Sequence, residues 1–210
     1  VVLRRNAEDR GVVGLLRKLY LAHIAEVDDY VRAFFGILEK HGLLGNSVVI
    51  ITSDHGEEFG EHGGLSHDGK MTPELLDVPL FIYDPDRASG EVCDKLVSGL
   101  DTSPTILHLL GIAPDTGFQG RSLLPVADYA EQGVYGESTD KRGKKQPTDK
   151  PVYFYREGDL RVVYSVAGEK WELYDLAADP GQTQDIFDAS PDAARMKEKL
   201  APRIARAHLA

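Results

Sequence analysis

A long run of period near 3.6, followed at once by an unbroken β-branched run, most narrows the folds open to this chain. Over residues 9–41 the apolar positions Val13, Leu16, Tyr20, Ile24, Val27, Val31, Phe34 and Leu38 are spaced by three or four, so they share one face of a long helix. Charged residues fall mostly between them, and Gly42 suits the position that closes a helix. The helix is expected to lie on a larger surface. SVVIITS (47–53) then lacks alternation, which is how a strand covered on both faces reads. A helix, a short loop and such a strand are the ingredients of an α/β layer.

The pattern continues downstream. VPLFIY (78–83) reads as a second strand covered on both faces, and DTSPTILHLLG (101–111) as a helix with Pro104 in its first turn and Gly111 at its close. After about residue 130 the character changes. STDKRGKKQPTDK (138–150) is a polar loop in which Lys141, Arg142, Lys144 and Lys145 read as a surface run. VYFYRE, LRVVYSV and KWELYDL, joined by short turn sequences, indicate an antiparallel meander. SPDAARMKEKLA (190–201) is a helix that Pro202 is expected to interrupt or kink. The expected fold class is α/β: part of a doubly wound mixed sheet flanked by helices over residues 1–130, with a small C-terminal α+β subdomain, an antiparallel sheet plus helix, over 131–210.

Charge and composition exclude some partners. A net charge of −10 argues against nucleic acid and anionic membranes, which reward cationic surfaces. It leaves room for a small anionic substrate, because one metal ion inverts the local field. No apolar run is long enough for a membrane span. Cys93 is the single cysteine, so no intrachain disulfide forms and redox chemistry does not fix the compartment. The chain opens on Val1 rather than Met, from which an excised or processed piece is expected.

The chemistry concentrates in IITSDHGEEFGEHGGLSHDGK (50–70). Ligands collect at the carboxyl ends of strands in open α/β sheets. Asp54 and His55 sit at such an end, and Gly56 permits a sharp departure there. A carboxylate suits most divalent ions, and an imidazole tilts the choice toward Mn, Zn or Fe and away from Ca. Two adjacent ligands do not complete a site. By composition and placement alone, a polar loop after a strand is the other reading.

VVIITSDHGEEFGEHG resembles the second metal-ligand segment of the sulfatase family, within the alkaline-phosphatase superfamily. YLAHIAEVDDYVRAFFGILEKHGLLGNSVVIITSDHGE resembles that family's long helix and following strand. VSGLDTSPTILHLLGIAPDTGFQGRSLLP is similar to its next helix and Gly-Arg-Ser-Leu-Leu-Pro segment, and WELYDLAADPGQTQDI to its C-terminal strand and turn. The resemblance implies that Asp54 and His55 are metal ligands. Many relatives have Asp-Asn there, often with Ca, while the Asp-His form looks more like the phosphonate monoester and phosphodiester hydrolase branch. It further implies that Lys70 holds a nonbridging oxygen of the transferred group. His67 is a candidate to protonate the leaving oxygen; His62 reads as a loop-shaping or exposed histidine. Glu57, Glu58 and Glu61 receive no coordinating role and read as a solvated acidic loop.

The family's nucleophile is a formylglycine made from a Cys/Ser-x-Pro-x-Arg motif, and no such motif occurs in the sequence. Cys93, in GEVCDKLVS, reads as a small, partly buried residue. The expectation is therefore the C-terminal portion of a sulfatase-like, metal-dependent hydrolase of sulfate esters, or of phosphate or phosphonate esters. The resemblance implies a divalent ion (Mn, Zn or Ca) in the complete protein and a formylglycine expected upstream. The piece alone is expected to be inactive and, with an apolar strand edge open, prone to self-association. The alternative is a non-catalytic truncated relative acting as a binding or interaction module.

Overall fold

The computed structural model describes residues 9–67, 69–87, 90, 92–138 and 151–207. The basic run at Lys141, Arg142, Lys144 and Lys145 lies outside them. The chain forms two compact units, one ending at Glu91 and the other beginning at Val92.

In chain order the first unit contains helix α1 (Arg10–Lys40), strands β1 (Val49–Thr52), β2 (Glu58–Phe59) and β3 (Leu65–Ser66), the one-turn helix α2 (Pro73–Leu76) and strand β4 (Leu80–Tyr83). Asp9 caps α1: its Oδ1 accepts the amides of Gly11 (2.8 Å) and Val12 (3.2 Å). At the other end Gly42 takes the left-handed conformation, with φ 68°. Leu43 N then donates to Leu38 O and Gly42 N to Glu39 O, a Schellman closure. The helix meets the strands through Tyr20 against Phe59 (ring centroids 5.0 Å) and Phe35 against Tyr83 (5.5 Å). No residue of α1 is buried, and Leu15, Leu19, Ile24, Val27 and Phe34 stay exposed.

β1 pairs antiparallel with β4, from Val49 opposite Tyr83 to Thr52 opposite Leu80. β4 is half-buried with Phe81 exposed, and β1 is half-buried with Thr52 exposed, rather than covered on both faces as their sequences suggest. The physical reason is that β4 is the one strand paired with β1 among the described residues, so the ribbon has little surface to hide behind. β2 and β3 form a second antiparallel pair, with Glu58 opposite Ser66 and Phe59 opposite Leu65. Leu65, Met71 and Leu75 are buried around it.

The second unit contains α3 (Thr102–Leu109), β5 (Val134–Ser138), β6 (Val152–Glu157), β7 (Leu160–Ser165), β8 (Lys170–Asp175) and α4 (Ala193–Ala207). β5 to β8 form an antiparallel meander in sequence order. Tyr155, Val162 and Leu173 lie opposite one another across β6, β7 and β8, so period-two alternation puts them on one face. Met196, Leu200 and Ile204, spaced by four on α4, pack onto that face with Tyr153 and Tyr155. α4 runs on through Pro202 to Ala207. The expected interruption does not occur because Ile204 is seated against the core, and that burial offsets the helix bond Pro202 cannot donate.

GRSLLP also has a structural explanation. Arg121 N donates to Asp101 Oδ1 (2.9 Å) and Leu123 N to Thr105 Oγ1 (2.9 Å), so the segment is stitched along the start of α3. Cys93 is exposed, not partly buried: it lies in an irregular segment that gives its thiol no apolar cover.

Candidate functional site

Beyond β1 the chain turns at Ser53, whose Oγ donates to His55 O (2.7 Å). Asp54 Oδ1 accepts the His55 amide (3.0 Å). His55 Nδ1 lies 2.9 Å from Gly56 O. A carbonyl oxygen only accepts, so this bond places the ring proton on Nδ1 and leaves the Nε2 lone pair free. Nε2 lies 3.7 Å from Asp54 Oδ2. The two side chains thus present one oxygen and one nitrogen toward each other, close enough for bonds of about 2.0–2.3 Å to one cation.

Gly56 is required for space rather than for an unusual φ. Its amide donates to Leu75 O (2.9 Å), and an added Cβ would lie 1.9 Å from Glu74 O. The strand end is therefore pressed against α2, which fixes where Asp54 and His55 leave the ribbon.

The following loop brings His67 back to this point. Its ring stacks on that of His55, centroids 4.1 Å apart and planes at 27°. His67 Nδ1 lies 3.4 Å from Glu57 Oε2 and 3.4 Å from Ser66 Oγ. Ser66 itself has φ 83°, the left-handed region, and this turns the chain as it delivers His67. His55, Glu57 and His67 each offer a donor atom, all within 4.8 Å of one another.

Lys70 takes a different place. Its Nζ donates to Glu58 Oε1 (2.9 Å) and Oε2 (2.7 Å) and to His62 O (2.8 Å). Glu58 also accepts the amides of His62 (2.9 Å) and Gly64 (2.8 Å), and at 2% exposure it is among the most buried side chains present. Burial pushes its carboxyl upward, but the Lys70 bond and the two amides outweigh this and hold it below the ordinary carboxylate value.

The solvated acidic loop expected from sequence is therefore not found. Glu58 is buried, Glu57 faces His67, and Glu61 is paired with Arg17 of α1 while accepting the Phe59 amide (2.6 Å). Each acid meets a partner distant in sequence, which a window of composition does not reveal. His62 shapes the loop through its backbone; its Nε2 approaches Glu74 Oε2 at 3.3 Å without hydrogen-bond alignment.

The structure thus sets Asp54 beside His55, groups His55 with Glu57 and His67 but not with Asp54, and directs Lys70 to Glu58. Sequence reasoning missed Glu58 as an anchor. The two ends of that ion pair lie twelve residues apart, with no periodic pattern linking them.

A model of the family described as Sulfatase matches residues 6–112, and one described as N-sulphoglucosamine sulphohydrolase, C-terminal, matches residues 60–209. The chain is 31% identical over 198 residues to an N-acetylglucosamine-6-O-sulfatase of Bacteroides thetaiotaomicron, covering 86% of this chain and 34% of that protein. It is similar to a phosphonate monoester hydrolase of Agrobacterium radiobacter, with TM-score 0.76 and 26% identity, covering 92% of this chain and 41% of that one. It is also similar to a protein solved in complex with its substrate D-glucosamine-2-N,6-O-disulfate, with TM-score 0.68 and 27% identity, covering 90% and 39%. The chain spans about a third of the length of the curated relatives that it matches along most of its own length.

Proposed function

We propose that this chain, which belongs to the sulfatase family, carries one wall of the active site of a metal-dependent hydrolase of sulfate esters. The observation that carries the reading is the approach of Asp54 Oδ2 and His55 Nε2 to 3.7 Å, with His55 Nδ1 tied to Gly56 O. One donor is a hard oxygen and the other an imidazole nitrogen held in the ligating tautomer, so the pair fits a Mn- or Zn-type ion better than Ca. When bound, such an ion supplies Lewis-acid stabilisation of charge on the transferred group and its attacking oxygen.

The chain's own residues do the rest of what can be assigned. Asp54 brings negative charge to a strand end 88% open on its side chain, so the ion site faces solvent and substrate. His67, with Nδ1 toward Glu57 Oε2, has Nε2 left to carry a proton toward a leaving oxygen. Lys70 is anchored by Glu58, and its ammonium is assigned, alongside that anchor, to a nonbridging oxygen of the transferred group. The substrate class is a small anionic ester. Sulfate esters are favoured by the N-acetylglucosamine-6-O-sulfatase relative, and phosphonate esters are the second option through the structural likeness to a phosphonate monoester hydrolase.

No Cys/Ser-x-Pro-x-Arg sequence occurs among the 210 residues, so no step is assigned to a formylglycine here. The chain by itself is expected to show no turnover. Hydrolysis of an aryl sulfate and an aryl phosphonate ester, assayed with added Mn or Zn, tests this. Background rates agree with the reading; turnover abolished by Asp54→Ala would show that these residues suffice for chemistry.

A further inference from the structure

The loop that returns His67 to the metal pair has almost no regular structure of its own. β2 and β3 contribute two residue pairs, far fewer than an isolated hairpin needs to persist in water. What crosses the loop instead is one buried ion pair. Glu58 Oε1 and Oε2 both meet Lys70 Nζ, Oε1 also collects the amides of His62 and Gly64, and Nζ returns to His62 O. Gly64 sits so tightly beneath this group that an added Cβ would lie 2.8 Å from Lys70 Nζ and 2.9 Å from Glu58 Oε2. Three points of the loop, at 58, 62–64 and 70, are thus drawn onto one carboxylate.

The residues next to these points are the ones that meet at the site. Glu57 directly precedes Glu58. His67 directly follows Ser66, the residue opposite Glu58 in the strand pair. Lys70 then fixes the chain three residues beyond His67. We infer that Glu58, with Lys70 as its partner, is the positioning residue that holds His67 stacked on His55 and facing Glu57. The lowered carboxyl value of Glu58 keeps the clamp charged at neutral pH.

The inference rests on the reading of Asp54 and His55 as the site, and its test is independent of metal and turnover. In the metal-free 210-residue chain with labelled histidines, the two stacked rings give a cross-relaxation signal between His55 and His67 ring protons, since their centroids are 4.1 Å apart. Glu58→Gln and Lys70→Met are each expected to reduce that signal at least several-fold. The double variant should lose no more than either single one, because both remove the same clamp. Lys70→Arg, which keeps charge and donors, should restore it in part. Signals from Tyr153, Val162 and Leu173 in the second unit should not move, which separates loop release from general unfolding. If Glu58→Gln fails to fold, the contrast between Lys70→Met and Lys70→Arg decides. A signal of wild-type strength in folded Glu58→Gln and Lys70→Met, or no signal in the wild-type chain, overturns the inference. A wild-type chain that shows the signal and loses it in Glu58→Gln, yet binds no Mn²⁺, supports the clamp and refutes the metal reading alone.

Discussion

The imidazole of His67 stacks on that of His55, ring centroids 4.1 Å apart, although twelve residues separate them in sequence. The contact depends on three local devices. Gly56 lets the strand end press against α2, Ser66 turns the returning chain through a left-handed φ, and Glu58 with Lys70 closes the loop between. The first and the third of these give separate expectations.

Gly56→Ala places a methyl group 1.9 Å from Glu74 O, a backbone atom that cannot swing aside. The chain must shift at α2 or at the end of β1, at a cost of about 1–3 kcal/mol. Urea unfolding followed by far-ultraviolet circular dichroism should show the loss. Histidine ring signals of His55 should move as well, because its neighbour is displaced.

Glu58→Leu leaves the Lys70 ammonium without its carboxylate. Breaking a buried pair costs about 3 kcal/mol at the low end, and the low end applies because Lys70 remains partly open to water. Urea titration of the variant against wild type measures it.

The same pair predicts an acid limb. Glu58 has a folded-state value below its unfolded one, so its stabilisation is fully present above about pH 4.3 and is lost as pH falls through the folded value. Stability of the first unit should decline in that acid range, and Glu58→Gln should flatten that part of the profile.

The second unit should fail at the other end of the scale. Burial and hydrogen bonding to Glu157 push the Tyr155 hydroxyl up, and burial with the Glu172 charge does the same for Tyr174. Both values are raised in the folded state. Their stabilisation is therefore complete below about pH 10 and declines as pH rises from there toward the folded values. Trp171, the single tryptophan, packs against this core and reports the transition by fluorescence.

How much of this was legible in the sequence follows from the range of the interactions. α1 and its Gly42 closure could be read because a 3.6 period and a closing glycine are local signals. Three strands of the meander were legible as aromatic and β-branched runs, whereas β5 was not. Its middle residue is Gly136, which lies beneath the Phe154 ring and supplies no apolar pattern of its own. Asp54 and His55 stood out through placement at a strand end. Glu58 did not, because a glutamate in a polar loop becomes an anchor only when Lys70 and the amides of His62 and Gly64 converge on it. The helix passing through Pro202 was hidden for a related reason: the seat of Ile204 in the core outweighs a local helix-breaking signal.

The central claim is that Asp54 and His55 together form one side of a divalent-cation site. The most direct measurement is a titration of the 210-residue chain with Mn²⁺, following loss of the free-ion electron paramagnetic resonance signal in wild type, Asp54→Ala and His55→Ala. The account predicts weak, saturable uptake of one ion by the wild-type chain and its loss in both variants. Uptake unchanged by either substitution, or none by the wild-type chain, would contradict it.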